Sequence, residues 1–255
     1  MLHISLTGEA IAGIGPFPIT NSLLTTWFVM ATMTLLVLFV KSSIRTHPTK
    51  IQLAGEVIVE SLYDLFEGVL HEKVKTFFPL LASFFLFIII SNWIGLLPGI
   101  GSIGIVEKET LHEQVAPDQM QEEEKLIPFL RAPTADLNTT LGLALISFIT
   151  LQYYGLKTLG ATYLKKFINI SSPINFYVGL LEIISEFGKI VSFGFRLFGN
   201  IFAGEVLLTV IAFLVPILAP IPFIGLELFV GLIQALVFSM LTAVFLSTAV
   251  TVEEH

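Results

Sequence analysis

One arginine lies in the middle of a long apolar segment. Arg196 belongs to the run FGKIVSFGFRLFGNIFAGEVL (187–207), where aromatic and aliphatic residues surround its charge. An unpaired arginine at the centre of a bilayer costs about 2.5 to 3.5 kcal/mol on insertion scales, so a charge kept there indicates a functional site. The alternative is a buried arginine that pairs with a carboxylate merely to hold two helices together.

The spacing around Arg196 predicts a helix with one polar face and a second, separate acid. At about 100° per residue, the Arg196 side of this helix carries both polar and small residues. These residues are Glu182, Lys189, Ser192, Gly199, Asn200 and Ala203. Small side chains would let another helix approach the arginine closely. Glu205 falls on the opposite face, so we expect Arg196 and Glu205 to have different surroundings.

The last apolar segment predicts a second polar stripe. Glu227, Gly231, Gln234 and Phe238 are spaced four, three and four residues apart, which places them on one side of a helix. Antiparallel packing of the last two helices would bring Gln234 alongside the Arg196 region. Asp136 stands with Asn138 at the outer end of the third apolar segment.

The residue types suggest how an ion could move past this arginine. Arginine stays protonated in proteins, so Arg196 cannot relay protons and instead forms a fixed positive barrier. The carboxyl groups of Glu205, Glu227 and Glu182 suit a proton or cation relay. This pattern predicts two half-channels that do not join. Since no second carboxylate of this chain obviously faces Arg196, we expect another subunit to carry the ion across.

Composition identifies the setting as a membrane. Of the 255 residues, 55% are hydrophobic and only 13% are charged, with a mean hydropathy of +0.88. Soluble proteins carry about 25% charged residues, so the chain is predicted to be an all-α polytopic membrane protein in contact with lipid. The absence of cysteine excludes thiol chemistry and disulfides. A net charge of −7 argues against nucleic acid as a partner.

Apolar runs predict five membrane-inserted helices in a single membrane domain. They cover residues 21–40, 77–100, 135–155, 174–215 and 222–250. Eight Lys and Arg residues fall in segments 41–76 and 156–173, against three in the acidic loop 101–134. The positive-inside rule therefore places the N-terminal tail 1–20 and that loop outside, and the C-terminus in the cytoplasm.

Residues 51–72 predict an additional amphipathic helix. Glu56, Glu60, Asp64 and Glu67 line one helical face, and the opposite face is apolar. We interpret this segment as a helix in the membrane plane. Its acidic face meets either water alone or a protein partner.

The last two segments are too long to cross a bilayer upright. About 40 residues at 1.5 Å each give roughly 60 Å, twice the hydrocarbon thickness. No proline interrupts residues 174–215. Either the helix breaks at glycines such as Gly188 and Gly199, or the pair forms a long, steeply tilted hairpin pressed against something large.

Several segments together resemble a known family, subunit a of the rotary F-type ATP synthases. They are FRLFGNIFAGE (195–205), PTADLNTT (133–140), LIQALVFSMLTAVFLS (232–247) and the terminal EEH. The resemblance implies a non-catalytic membrane stator in the cell inner membrane. Its partners would be a rotating c-subunit ring, b-type peripheral stalk subunits and the rest of the complex. The ring carboxylates of this family carry H⁺, or Na⁺ in some members.

The resemblance also implies roles for individual residues. Arg196 corresponds to the stator arginine that separates the half-channels. Glu205 and Glu227 correspond to polar positions of the aqueous access path, and Gln234 to the glutamine beside the arginine. Asn200, Asp136 and Glu182 correspond to secondary polar positions. Glu227 departs from the pattern of some bacterial members, which carry histidine there.

Other classes of function have weaker support in the sequence. A stand-alone secondary transporter, in which Arg196 binds a small anion coupled to H⁺, predicts internal repeats, and none is evident. Residues 99–104 fit G-x-G-x-x-G but follow an apolar helix instead of a strand, so we expect no nucleotide site. Five scattered histidines lack ligand spacing, so we expect no metal and no cofactor.

Overall fold

The computed structural model describes residues 8–14, 17–43, 50–97, 99–100, 103–110, 122–167, 172–216 and 218–250. Its helices are α1 (Asn21–Ser43), α2 (Lys50–Leu70), α3 (Val74–Gly95), α4 (Leu137–Leu159), α5 (Ala161–Lys165), α6 (Pro173–Leu214) and α7 (Pro220–Val250). Its strands are β1 (Ala10–Ile14), β2 (Phe17–Thr20), β3 (Gly104–Thr110) and β4 (Glu122–Pro128). The terminal residues 251–255 and the acidic segment 111–121 lie outside the described residues.

The all-α membrane fold is confirmed. Five helical stretches of the described chain are long and apolar enough to span a membrane, and α2 and α3 together make one of them. The strands form two separate antiparallel hairpins, with Ala10 opposite Thr20 in the first and Gly104 opposite Pro128 in the second. The sequence analysis did not predict these hairpins.

Local sequence determines where the long helices begin. At the start of α6, Ser172 accepts a hydrogen bond from the Ile174 amide at 3.3 Å, and Pro173 takes the first helical position. No proline follows until Pro216, so α6 continues unbroken for 42 residues, about 63 Å. The alternative of a helix broken at its glycines is therefore wrong.

Several predicted boundaries differ from the structure by a few residues, and two of these differences have a clear local cause. The third span was expected to begin at residue 135, but Asp136 has an extended backbone and caps α4, which therefore begins at Leu137. The second span was expected to continue to residue 100, but α3 ends at Gly95. Pro98 stands three residues beyond that end, and proline disfavours helical backbone just before it.

The core lies between α3 and α7, with α4, α6 and part of α2 packed around them. Phe66, Leu81, Ile88, Leu197 and Leu246 are fully buried in it. The acidic side chains of α2 stay exposed, and Phe66 faces the core from the other side of that helix. Toward the residue-250 end of α7, the Lys73 ammonium donates to the carbonyl of Val250 at 2.7 Å. Leu197 of α6 and Leu246 of α7 belong to this one core, and the packing of both helices against it positions the polar residues described next.

Candidate ion-translocation site

Arg196 lies on an uncovered face of α6, near the middle of the helix. Its side chain is exposed, and its contact within the described chain is a long hydrogen bond of 3.5 Å from Nη2 to the Ser192 hydroxyl. No carboxylate among the described residues pairs with it. The neighbouring small residues Gly199 and Ala203 are exposed on the same side. An opposing helix could therefore bring a carboxylate to this arginine.

Asn200 and Gln234 join α6 to α7 one turn from the arginine. The Asn200 amide donates to the Gln234 side-chain oxygen at 2.6 Å. Gln234 is buried, with 4% of its surface exposed, and its amide nitrogen has no hydrogen-bond partner in the described structure. An unpaired buried donor is costly, so the Gln234 amide is an unusual feature of the contact between α6 and α7.

Glu205 and Glu227 line one cavity on the other side of the pair. The cavity has a volume of about 230 Å³ and lies among α3, α6, α7 and the loop that precedes α4. Asn92 and Arg131 also contribute to its wall. Glu227 is 7% exposed and forms no hydrogen bond or ion pair with any described residue. The cavity thus brings two glutamates together from different helices.

A glycine allows the close packing beside Glu227. A Cβ atom built at Gly204 would overlap the carboxyl group of Glu227. Gly204 is itself buried in α6. Because glycine has no side chain, the Glu227 carboxyl group can lie directly against the backbone of α6.

Arg131 is a site residue that the sequence analysis missed. Its Nη2 lies 3.0 Å from one Glu205 oxygen, and its Nε lies 3.2 and 3.3 Å from both. The arginine side chain is 8% exposed. Its only sequence signal is its position just before the PTADLNTT segment. Its partner is 74 residues away, a contact that spacing along one helix cannot show.

The loop that carries Arg131 is tied to neighbouring helices. The Arg131 amide donates to the Thr25 hydroxyl at 3.1 Å. Thr134 donates to the Asn92 side chain at 2.6 Å, and Asn92 in turn donates to the carbonyl of Gly231 at 3.1 Å. These hydrogen bonds give each polar group a partner within the protein, which the hydrocarbon of a bilayer could not supply.

Asp136 lies at the edge of this loop and not in the cavity. One of its oxygens accepts from the Asn138 amide at 3.0 Å and caps α4. The other accepts from the Ser22 hydroxyl at 2.5 Å, which fastens the start of α1. The side chain is 3% exposed. Its contacts are those of a residue that positions helices.

A second polar cluster lies toward the other end of α6. Lys166 contacts Glu182 at 2.8 Å and Glu186 at 3.8 Å, and Lys189 contacts Glu186 at 2.5 Å. Gln152 donates to Glu186 at 3.2 Å. Of these residues the sequence analysis named Glu182 and Lys189 but missed Glu186, which is 3% exposed.

Tyr163 closes this cluster from the short helix α5. Its hydroxyl donates to the Gln152 oxygen at 3.0 Å. Burial, reinforced by the charges of Glu186 and Glu182, raises the pKa of Tyr163 to about 12. The phenol therefore stays protonated and acts as a donor throughout the physiological pH range.

An apolar layer separates the two polar regions. Phe193 packs against Phe238 with ring centroids 5.2 Å apart and stacks on Phe245 at 5.5 Å. Leu197 and Ala235 are fully buried at the same level. Phe193 and Leu197 lie between Glu186 and Glu205 along α6, so packed apolar side chains stand between the two polar regions on that helix.

The fold and the site define a multi-pass membrane protein with ionisable groups distributed along two long helices. A family model, ATP synthase A chain, matches residues 23–247. The chain is 32% identical to ATP synthase subunit a 2 of a Bradyrhizobium strain, over 96% of this chain and 95% of the relative. It is 33% identical to the chloroplastic ATP synthase subunit a of Stigeoclonium helveticum, over 91% and 85%. It is 30% identical to ATP synthase subunit a of Legionella pneumophila, over 94% and 91%.

The chain belongs to the ATP synthase A chain family, as the resemblance predicted.

Proposed function

We propose that the chain is the ion-translocating stator subunit of a rotary ATP synthase and is not itself catalytic. Two offset half-channels deliver protons to and from the mid-membrane carboxylates of a c-subunit ring, and Arg196 is the barrier between them. The observation that carries the proposal is the exposed position of Arg196, halfway along α6, without an acidic partner among the described residues. A charge in that position requires a counter-charge from beyond the described residues, and we assign that counter-charge to a partner subunit.

The two polar regions fit the two half-channels. Glu205 is nine residues from Arg196 and Glu186 is ten, so they lie about 14 Å and about 15 Å from it along the helix axis, in opposite directions. The first region is the cavity with Glu227, and the second is the cluster with Glu182. The packed layer around Phe193 supports a design in which neither path continues into the other. An ion must then leave one path, bind to a partner subunit that carries it, and enter the other path.

The exposed face of α6 fits a rotating partner. Ser192, Gly199 and Ala203 surround Arg196 on this face and offer little steric bulk. The relatives are named as subunits of ATP synthase, which supports a c-subunit ring against this face and b-type stalk subunits elsewhere on the chain. On the positive-inside rule, the Glu205 cavity opens outside and the Glu182 cluster faces the cytoplasm of a cell inner membrane.

Replacing the barrier tests the function directly. Arg196→Ala should abolish proton-driven ATP synthesis in membrane vesicles, because no other cation of the described residues lies at that level to release the proton from a ring carboxylate. Lys165→Ala removes an exposed cation from α5 and serves as the matched control. Near-normal ATP synthesis by an assembled Arg196→Ala complex would contradict the proposal. A chain that purifies alone and transports a small anion would instead favour a secondary transporter.

A further inference from the structure

The two glutamates of the outer cavity have different electrostatic partners. Glu205 receives a forked interaction from Arg131, with three nitrogen–oxygen distances between 3.0 and 3.3 Å. Glu227 lines the same cavity but has neither a hydrogen bond nor an ion pair with the described residues. Forked arginine–carboxylate pairs are among the strongest polar contacts in proteins. The chain therefore fixes one carboxylate and leaves the other free.

Arg131 is held in place independently of Glu205. Its own amide is bonded to Thr25 of α1, and the Asn21 side chain donates to the carbonyl of Pro128 at 3.3 Å. The Arg131 side chain is 8% exposed, whereas the Glu205 side chain is 41% exposed. The loop thus holds Arg131 in position, and the Glu205 side chain reaches it from α6.

The positive charge of Arg131 affects the balance of charge between Glu205 and Glu227. Two ionised carboxylates in a cavity of about 230 Å³ repel each other and would compete for one proton. A guanidinium group remains positively charged at every relevant pH. Its presence beside Glu205 offsets that negative charge, so the second carboxylate can gain and lose a proton without competition.

We propose that Arg131 is a positioning residue of the ion path. It holds and orients the Glu205 carboxyl group in a forked ion pair, so that Glu227 is the member of the pair that accepts the transported proton and passes it on. The proton is taken up from the aqueous side by the Glu227 carboxylate and leaves as it transfers to the next acceptor, with no net change in Glu205 or Arg131. This inference rests on the proposed function.

The test is a double-mutant cycle in the whole complex. Arg131→Gln leaves two competing carboxylates, and Glu205→Gln removes the forked carboxylate partner of Arg131, so that the guanidinium group can bind Glu227 instead. Each single variant should lower ATP-driven proton pumping in inverted vesicles by about tenfold or more. The double variant removes both charges and should pump at least about fivefold faster than either single variant, a coupling that independent sites do not show. A double variant as slow as the worse single variant, or slower, would overturn the proposal.

The pH dependence of proton pumping separates an effect of the Arg131 charge from a merely structural effect of its replacement. Arg131→Gln should move the half-maximal pH of pumping upward, because a proton is held more firmly between two uncompensated carboxylates. Arg131→Lys keeps the charge but loses the fork, and should keep the wild-type half-maximal pH. An assembled Arg131→Lys complex with the same shifted profile as Arg131→Gln contradicts a role for the charge. If the Gln variant does not assemble, Arg131→Lys is compared with the wild type alone, and a shifted half-maximal pH in an assembled Arg131→Lys complex contradicts the role of the charge.

Arg196→Ala, measured alongside, keeps the two proposals distinct. Loss of pumping in Arg196→Ala together with an additive Arg131–Glu205 cycle would retain the stator function and reject the role of Arg131. Intact pumping in Arg196→Ala would reject the stator function itself.

Discussion

Gly204→Ala should disturb the ion path and leave the fold in place. The first side-chain atom at position 204 would overlap the carboxyl group of Glu227. That group is the far end of a flexible side chain, so it can rotate away while the backbones of α6 and α7 keep their separation. The substitution is therefore a way to move one carboxyl group without changing its chemistry.

The expected magnitudes differ for stability and for transport. Alanine favours a helix over glycine by about 1 kcal/mol, and forcing Glu227 out of its preferred rotamer costs about 0.5 to 1.5 kcal/mol. These two contributions nearly cancel, so the complex should assemble normally. A misplacement of about 1 Å in a reacting group can lower a rate by about 100-fold. We therefore expect proton transport to fall between about tenfold and 100-fold.

The assay is ATP-driven proton pumping in inverted vesicles, with subunit content measured on the same membranes. Gly225→Ala is the matched control, because it makes the same change on α7 at a position where no described atom lies within 4 Å. Pumping by Gly204→Ala within twofold of wild type, in assembled complexes, would refute the reasoning about Glu227. An equal loss in Gly225→Ala would attribute the effect to alanine in a helix and not to the carboxyl group.

Two further predictions concern the Glu186 cluster and the exposed face of α6. Because burial and Glu186 raise the pKa of Tyr163 to about 12 from the ordinary 10, its protonated form contributes stability that is complete below pH 10 and is lost as the pH rises through about 12. The ultraviolet difference between wild type and Tyr163→Phe should show no phenolate from this residue at about pH 10, and a transition there would contradict the prediction. Cysteine at Ser192 or Ala203 should cross-link to a cysteine-bearing c subunit, whereas cysteine at Ala212, on the other side of α6, should not. Cross-linking from Ala212 alone would reverse the assignment of faces.

The fold was largely predictable because membrane helices are encoded locally. Hydropathy located the spans, and the absence of proline between Pro173 and Pro216 allowed one long α6 but left a break at its glycines open, which the structure excludes. The errors were at boundaries, where Asp136 acts through its side chain and α3 ends before Pro98. The β3–β4 hairpin was missed because its charged sequence has no apolar alternation.

The candidate site was predictable only where it follows a single helix. The positions of Arg196 and Glu205 on opposite sides of α6 come from helical spacing alone. The pair between Arg131 and Glu205 and the cavity shared with Glu227 depend on the packing of a loop and three helices. Such contacts join residues far apart in the chain, and no local pattern encodes them.

The first helix is attached to the protein at one end only. Its opening residues are bonded or buried against the loop before α4, as with Thr25 and Asn21, while Leu35 is 67% exposed and Phe39 57%. Substitutions should therefore have different effects in the two halves of α1. In the first half, a substitution at Asn21 or Thr25 removes a hydrogen-bonding partner of the loop. In the second half, the described chain leaves most of Leu35 and Phe39 uncovered, so an apolar replacement there should leave its fold unchanged, and this half is suited to attaching a probe.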